Sequence, residues 1–244
     1  NFSRFSQAVA NVFSPLLAFE VLTAFFLEAG FLGIMIFGWT RVRREIHFLA
    51  TCLVSFGTIL SSFWILAANS WMQTPAGFEW VNGKFMVKDF MAAIFNPSMH
   101  TRIGHMVMAS FETSVFVVAG ISAYFLLTGR HLDFFHRSLG IALAMAALFA
   151  PLQIFWGDRS GLNVYRHQPA KLAAIEAHWE TNTTGGAPFT IVALPNAKEE
   201  RNFLEIKIPH GLSLLVTHSL NGQVKGLKEF PPQDRPNVLV LFWS

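Results

Sequence analysis

The sequence predicts an all-α fold, a polytopic transmembrane helix bundle with one long extracytoplasmic loop, and three observations predict it. Of 244 residues, 52% are hydrophobic and only 14% charged, with 26 Phe. That composition suits a chain whose solvent is lipid. The apolar residues gather into runs long enough to span a hydrocarbon core of ~30 Å at ~1.5 Å per residue. Arginines cluster in the short connectors between runs, as topology signals do. The formal charge of +3 is small and scattered, which argues against nucleic acid as a partner.

Residues 1–14, NFSRFSQAVANVFS, read as an interfacial approach to a first span over about 15–38. Pro15 can open that span because the first turn of a helix does not need its N–H. Glu20 and Glu28 lie inside it, eight residues apart. Their spacing predicts projections within roughly 80° of each other, about 12 Å apart along the axis. The connector 39–47 carries Arg41, Arg43 and Arg44, and an uncharged second span follows over about 48–71. Residues 72–102 form a longer, nearly charge-balanced connection ending in the turn Asn96–Pro97.

The third span, about 103–128, is an apolar run interrupted by His105 and Glu112, seven residues apart and thus on nearly the same helix face. The connector 128–138 carries Arg130 and Arg137, and a fourth span with no charge covers about 138–156, with Pro151 inside. Short Arg-rich connectors mark the cytoplasmic side, so the start, the 72–102 connection and the loop 157–235 are expected outside. That loop holds nine Lys/Arg against eight Asp/Glu. Within it KLAAIEAHWE reads as an amphipathic helix and FLEIKI as a short strand, while TNTTGGAP and EFPPQDRP break structure. Residues 236–244 read as the start of a truncated further span; with Asn1 rather than Met at the beginning, the chain is expected to be an internal piece of a longer protein.

Ionisable groups within lipid are costly and mark function. His105 suits a haem axial ligand, a proton relay or a hydrogen-bonded packing residue. Gly104, Ala109 and Ser110 leave room for a flat macrocycle or for plain helix contact. Glu20, Glu28 and Glu112 point into the bundle, either protonated, paired, metal-bound, on a proton path, or making an interhelical hydrogen bond. Ser61, Ser62 and Asn69 continue a polar file or simply bond across helices. His47, His131 and His136 fall in connectors and are expected to be solvated; His100, His167, His178, His210 and His218 are expected at the outer surface. Lys171 and Glu176, a donor and a carboxylate near a membrane surface, suit binding and deprotonation of a quinol, although exposed charges on a helix are the default. Cys52 stands alone, which excludes an intrachain disulfide, and there is no Cys-x-x-Cys-His run for covalent c-type haem.

Five strings in order carry a resemblance: GW at 38–39, ILAANSWMQTP at 65–75, NP at 96–97, GDRSG at 157–161 and KLAAIEAHWET at 171–181. Over essentially its whole length the chain resembles subunit I of cytochrome bd-type quinol oxidases. The resemblance implies a multi-pass protein of the bacterial inner membrane that oxidises ubiquinol or menaquinol outside and reduces dioxygen to water with cytoplasmic protons. It implies a low-spin haem b, a high-spin haem b, and haem d or a haem b in its place, with a second large membrane partner, subunit II. His105 falls on the family's axial His of the low-spin haem. Glu20 and Glu28 match glutamates near the oxygen-reducing haem and its proton path. Lys171 and Glu176 match quinol-loop residues, and Ser61 and Asn69 a polar file toward the haems. The family's His on an earlier helix, its axial Met and a further haem-ligating Glu have no counterpart in this stretch, which would not assemble three haems or turn over alone. Glu112 matches no family residue. Two other readings stand beside this one: a haem b electron-transfer subunit that accepts quinol electrons without reducing oxygen, and a transporter using Glu20, Glu28 and Glu112 as an ion path.

Overall fold

A computed structural model describes residues 2–243, which fall into two units, 2–153 and 154–243. Among the described residues four helices are long and apolar enough to cross a membrane: Ser3–Phe37, Arg44–Gln73, Met99–Leu127 and Leu132–His167. Their outer faces expose large apolar side chains such as Phe26, Phe48 and Ile154. Lipid solvates such faces, while the backbone is satisfied within each helix.

The first membrane helix differs from the sequence expectation at its start. Helix α1 (Phe2–Glu20) begins well before Pro15, which lies inside it. Proline costs one i→i−4 hydrogen bond there. Val9, Val12 and Leu16 on either side are almost fully buried in one cluster, so packing holds the helix through the gap. A single π turn, Val21–Phe25, then joins α1 to α2 (Phe26–Phe37), with the Phe26 N–H donating to the Val21 carbonyl. The widened turn is braced from outside: Thr23 Oγ1 donates to the Phe19 carbonyl at 2.6 Å and accepts from Trp64 Nε1 at 2.9 Å.

Helix α3 (Arg44–Gln73) returns beside α1 and α2. The connection after it is structured. Strands β1 (Phe78–Val81) and β2 (Lys84–Val87) form an antiparallel hairpin whose turn residues Asn82 and Gly83 have φ of 49° and 75°. That Asn-Gly turn has the handedness matching strand twist. Trp71 is the wedge between α1, α3 and the hairpin: it meets Phe13, Phe78 and Phe85 edge-on, at ring distances of 5.8, 6.0 and 5.2 Å. A short helix α4 (Phe90–Ile94), capped by Asp89, leads to the Asn96–Pro97 turn.

Helix α5 (Met99–Leu127) is anchored to the end of α3 by a buried polar knot. Asn96 Nδ2 donates to Ser70 Oγ at 2.8 Å, and Thr74 Oγ1 donates to Ser98 Oγ at 2.8 Å. The Ser98 N–H donates to Thr74 Oγ1 at 3.1 Å. Buried polar groups satisfied in this way fix one register, which here sets the entry of the helix carrying His105. Helix α6 (Leu132–His167) continues past Trp156, where the apolar stretch ends, because nothing in GDRSGLNVYRH breaks a helix. Arg166 and His167 close it in the last turn, where the helix dipole favours cations.

The second unit is folded, with a short helix α7 (Pro169–Ile175), an antiparallel hairpin of β3 (Phe189–Asn196) and β4 (Arg201–Ile208), and helix α8 (Gly211–Thr217). The FLEIKI stretch lies in β4 as expected; β3 was not anticipated. KLAAIEAHWE is helical only to Ile175, and the terminal apolar run contributes one short helix, α9 (Val238–Phe242).

Candidate functional site

In the first unit the π turn determines how the two glutamates stand. Eight α-helical residues would set them ~80° apart, but a π turn accommodates about one extra residue, so the spacing acts like seven and the offset falls to roughly 20°. Their contacts agree. Glu20 Oε1 accepts a hydrogen bond from Ser61 Oγ at 2.8 Å. Glu28 lies against Gly57, where a Cβ would come within 3.0 Å of the Glu28 Cγ. Gly57 and Ser61 are one turn apart on α3, so both carboxyl groups face a single stripe of that helix. The Glu28 carboxylate has no hydrogen-bond or ion-pair partner among the described residues. Gly57 was not singled out in the sequence; a buried glycine facing a half-buried glutamate across a helix pair could be found only once the π turn was known.

The rest of the expected polar file diverges. Ser62 Oγ donates to the Thr58 carbonyl of its own helix at 2.8 Å. Asn69, about two turns from Ser61, accepts a 2.7 Å hydrogen bond from Arg102 Nη1. His47 is not a solvated connector residue: Nε2 lies 2.9 Å from the Met35 carbonyl oxygen, and the ring sits 4.6 Å from that of Trp39. The tight Gly38–Arg43 connection folds α3 back onto the end of α2 and brings these groups together.

On α5, Arg102, His105 and Glu112 share one face. The His105 ring is half-buried; its Nδ1 is buried without a partner, and its Nε2 lies 3.4 Å from Gln153 Nε2 of α6. Gln153 Oε1 is likewise buried and unpaired. Two orphaned polar atoms on neighbouring side chains inside a membrane bundle are expensive unless a further group meets them. Among the described residues no three His, Cys, Asp or Glu cluster as a metal site. This arrangement offers one imidazole, so His105 would help hold a haem, and a haem bound there would supply one-electron chemistry. Gln153 was missed in the sequence, although a Gln two residues after Pro151 in an apolar helix was a visible signal. Glu112 has no hydrogen-bond or ion-pair partner among the described residues.

In the second unit Lys171 and Glu176 stand at the two ends of α7, five residues apart, so they point roughly 140° away from each other around the axis. Both are half-buried. Burial pushes the Glu176 carboxyl up from 4.5 to about 7. The helix ends in a Schellman motif, with the His178 N–H on the Ala173 carbonyl at 2.8 Å and Ala177 left-handed at φ 46°. Asn202 holds that turn, donating to the Ala177 carbonyl at 2.8 Å while accepting from Trp179 Nε1 at 2.7 Å. His178, expected at the surface, instead has a buried, unpaired Nε2 and a pKa lowered by desolvation. It lines a polar cleft of about 440 Å³ with Glu180, Asn202, Glu205, Lys207 and Lys228.

The chain was compared with known proteins. A family model described as cytochrome bd terminal oxidase subunit I matches residues 1–244. Cytochrome bd ubiquinol oxidase subunit 1 of Bacillus subtilis (strain 168) is 39% identical over 254 residues, covering 100% of this chain and 54% of the relative. Cytochrome bd-II ubiquinol oxidase subunit 1 of Escherichia coli (strain K12) is 40% identical over 242 residues, covering 98% of this chain and 46% of the relative. The solved structure of bd oxidase from Geobacillus thermodenitrificans matches with a TM-score of 0.83 at 33% identity, over 98% of this chain and 55% of that one. The chain spans about half the length of the curated relatives it matches. Its four membrane-competent helices agree with a family that resides in the bacterial inner membrane. With every residue inside the family match and the fold shared with a solved relative, this chain belongs to the cytochrome bd terminal oxidase subunit I family.

Proposed function

We propose that the chain is part of the haem-bearing subunit of a terminal respiratory oxidase, which takes electrons from quinol on the outer side and reduces dioxygen to water with protons drawn from the cytoplasm. The observation that carries this reading is the alignment of Glu20 and Glu28 on one stripe of α3. An electron-transfer subunit needs no such file of carboxyl groups inside the membrane, whereas oxygen reduction consumes protons at a buried site. Ser61 Oγ, bonded to Glu20 Oε1, is placed to hand a proton along, and Glu28 holds the next position one turn away.

His105 supplies an imidazole nitrogen to a low-spin haem b, and a haem bound there supplies one-electron chemistry. Glu176, with its carboxyl poised at about 7, exists in both protonation states near neutral pH and takes the quinol proton, while Lys171 provides the cationic side of the same loop. The reading includes ubiquinol or menaquinol as donor, a high-spin haem b, haem d or a haem b in its place, and subunit II as partner. The Arg-rich connectors 39–47 and 128–138 support a cytoplasmic side there, with 157–235 outside.

The test is quinol-driven oxygen uptake by the full-length subunit with its partner. Glu20→Gln with Glu28→Gln is expected to abolish oxygen uptake while quinol still reduces the low-spin haem. Uptake at the unaltered rate in the double variant would refute the proton-file role. A full-length complex that accepts quinol electrons but consumes no oxygen would establish the electron-transfer alternative.

A further inference from the structure

Arg102 is a cation in an expensive place. It is the fourth residue of α5, half-buried, in a helix long and apolar enough to cross a membrane. A positive charge in the first turn also opposes the helix dipole. Such a group is retained where an anion meets it. Among the described residues no carboxylate does: none of the ion pairs includes Arg102, and its side chain makes one hydrogen bond, from Nη1 to the neutral Asn69 Oδ1 at 2.7 Å. A guanidinium carries five N–H donors in a planar fork suited to a carboxylate, so most of its capacity is unspent.

Its position says which carboxylate. Arg102 precedes His105 by one helical turn on the same face, and the His105 Nδ1 and Gln153 Oε1 beside it are buried without partners. Glu112 lies ten residues on, about 15 Å along the axis, too far to pair. We infer that Arg102 binds a propionate carboxylate of the haem held by His105, and that Asn69 is a positioning residue that fixes the guanidinium from α3. This rests on the haem reading of His105. It also gives Asn69 a role separate from the Glu20–Ser61 pair. A cation beside the haem favours the reduced form, which carries one positive charge less.

The experiment uses the full-length subunit with its partner, grown so that the haem propionates carry a ¹³C label, and follows redox-difference infrared spectra with a potentiometric titration of the low-spin haem. Arg102→Gln is expected to shift the labelled propionate band and to move the reduction equilibrium about tenfold toward the oxidised form, ~59 mV for a one-electron couple. Arg102→Lys is expected to restore most of the potential, and Asn69→Leu to lower it by a smaller amount. These two milder variants carry the same readout if Arg102→Gln fails to assemble. An unchanged labelled band together with a shift in an unlabelled carboxylate band would assign Arg102 to a protein carboxylate outside this stretch and overturn the inference. An unchanged potential in all three variants would also overturn it. A low-spin haem that survives in His105→Ala would instead remove the underlying haem reading, which separates the two failures.

Discussion

Gly226→Ala tests whether the second unit is held as described. Gly226 has an ordinary φ of −81°, so the constraint is contact rather than conformation. A Cβ there would lie 2.3 Å from Glu180 C, 2.4 Å from Trp179 O and 2.5 Å from Thr181 N. All three are backbone atoms, so no rotamer relieves the clash and the 226–228 segment has to withdraw. Three hydrogen bonds go with it: Gly226 N–H to Thr181 Oγ1 at 2.7 Å, Leu227 N–H to the His178 carbonyl at 2.8 Å and Lys228 N–H to the Trp179 carbonyl at 3.0 Å. At ~0.5–1.5 kcal/mol each they contribute about 1.5–4.5 kcal/mol. Exposing Leu227, now 1% accessible, adds up to ~2 kcal/mol. The stiffer unfolded chain returns only ~0.4–1 kcal/mol, so the net local loss lies between about 0.5 and 6 kcal/mol, centred on roughly 3 kcal/mol. Limited proteolysis of the full-length protein in membranes is expected to cut residues 176–230 much faster, with quinol turnover lost and the low-spin haem spectrum kept. Gly161→Ala is the control, because its Cβ meets nothing within 4 Å and helix propensity improves by up to ~1 kcal/mol. Wild-type proteolysis and turnover in Gly226→Ala would refute the packing argument.

Two further predictions follow from the same contacts. Glu176, raised from 4.5 to about 7, stabilises the loop fully below pH 4.5 relative to its ionised form and loses that contribution as pH rises to about 7. The change is about 3 kcal/mol, so proteolysis of the loop is expected to accelerate between pH 5 and pH 7 in the parent and not in Glu176→Gln, while the parent's quinol turnover rises with pH through about 7; a flat pH profile in the parent would contradict this. Gly57→Ala places a methyl 3.0 Å from Glu28 Cγ, which can rotate away, but also 3.3 Å from Leu27 Cβ and 3.4 Å from the Ala24 carbonyl oxygen, which cannot, so the helix pair has to give by a few tenths of an ångström. Such overpacking costs about 1–3 kcal/mol and helix propensity returns up to ~1 kcal/mol, so thermal stability is expected to fall by no more than about 3 kcal/mol while oxygen uptake falls, and unaltered uptake would separate Glu28 from the proton file.

The four membrane helices were legible because a span needs a length and a hydropathy, both of which a linear sequence displays. Their ends were not, because a helix and an apolar stretch end for different reasons. α6 runs beyond Trp156 because its continuation holds no proline until Pro169, and α1 starts before Pro15 because Val9, Val12 and Leu16 pack around the missing bond. The Asn82–Gly83 turn of the first hairpin carried a plain sequence signal that the charge balance of 72–102 obscured. At the site, residue types were legible and partners were not. The π turn at Val21–Phe25 has no composition of its own, yet it sets the phase between Glu20 and Glu28. Arg102 read as the boundary of a span, and only the fold shows Asn69 reaching it.

The central claim is that His105 lends its imidazole to a haem. The direct measurement is a reduced-minus-oxidised optical spectrum of membranes carrying the full-length subunit with its partner, compared with His105→Ala. Loss of the low-spin b-haem band in the variant is the predicted result, because the iron loses an axial ligand that nothing else on this face of α5 replaces. A six-coordinate low-spin spectrum unchanged in His105→Ala would contradict the account and return His105 to the packing residues of the bundle.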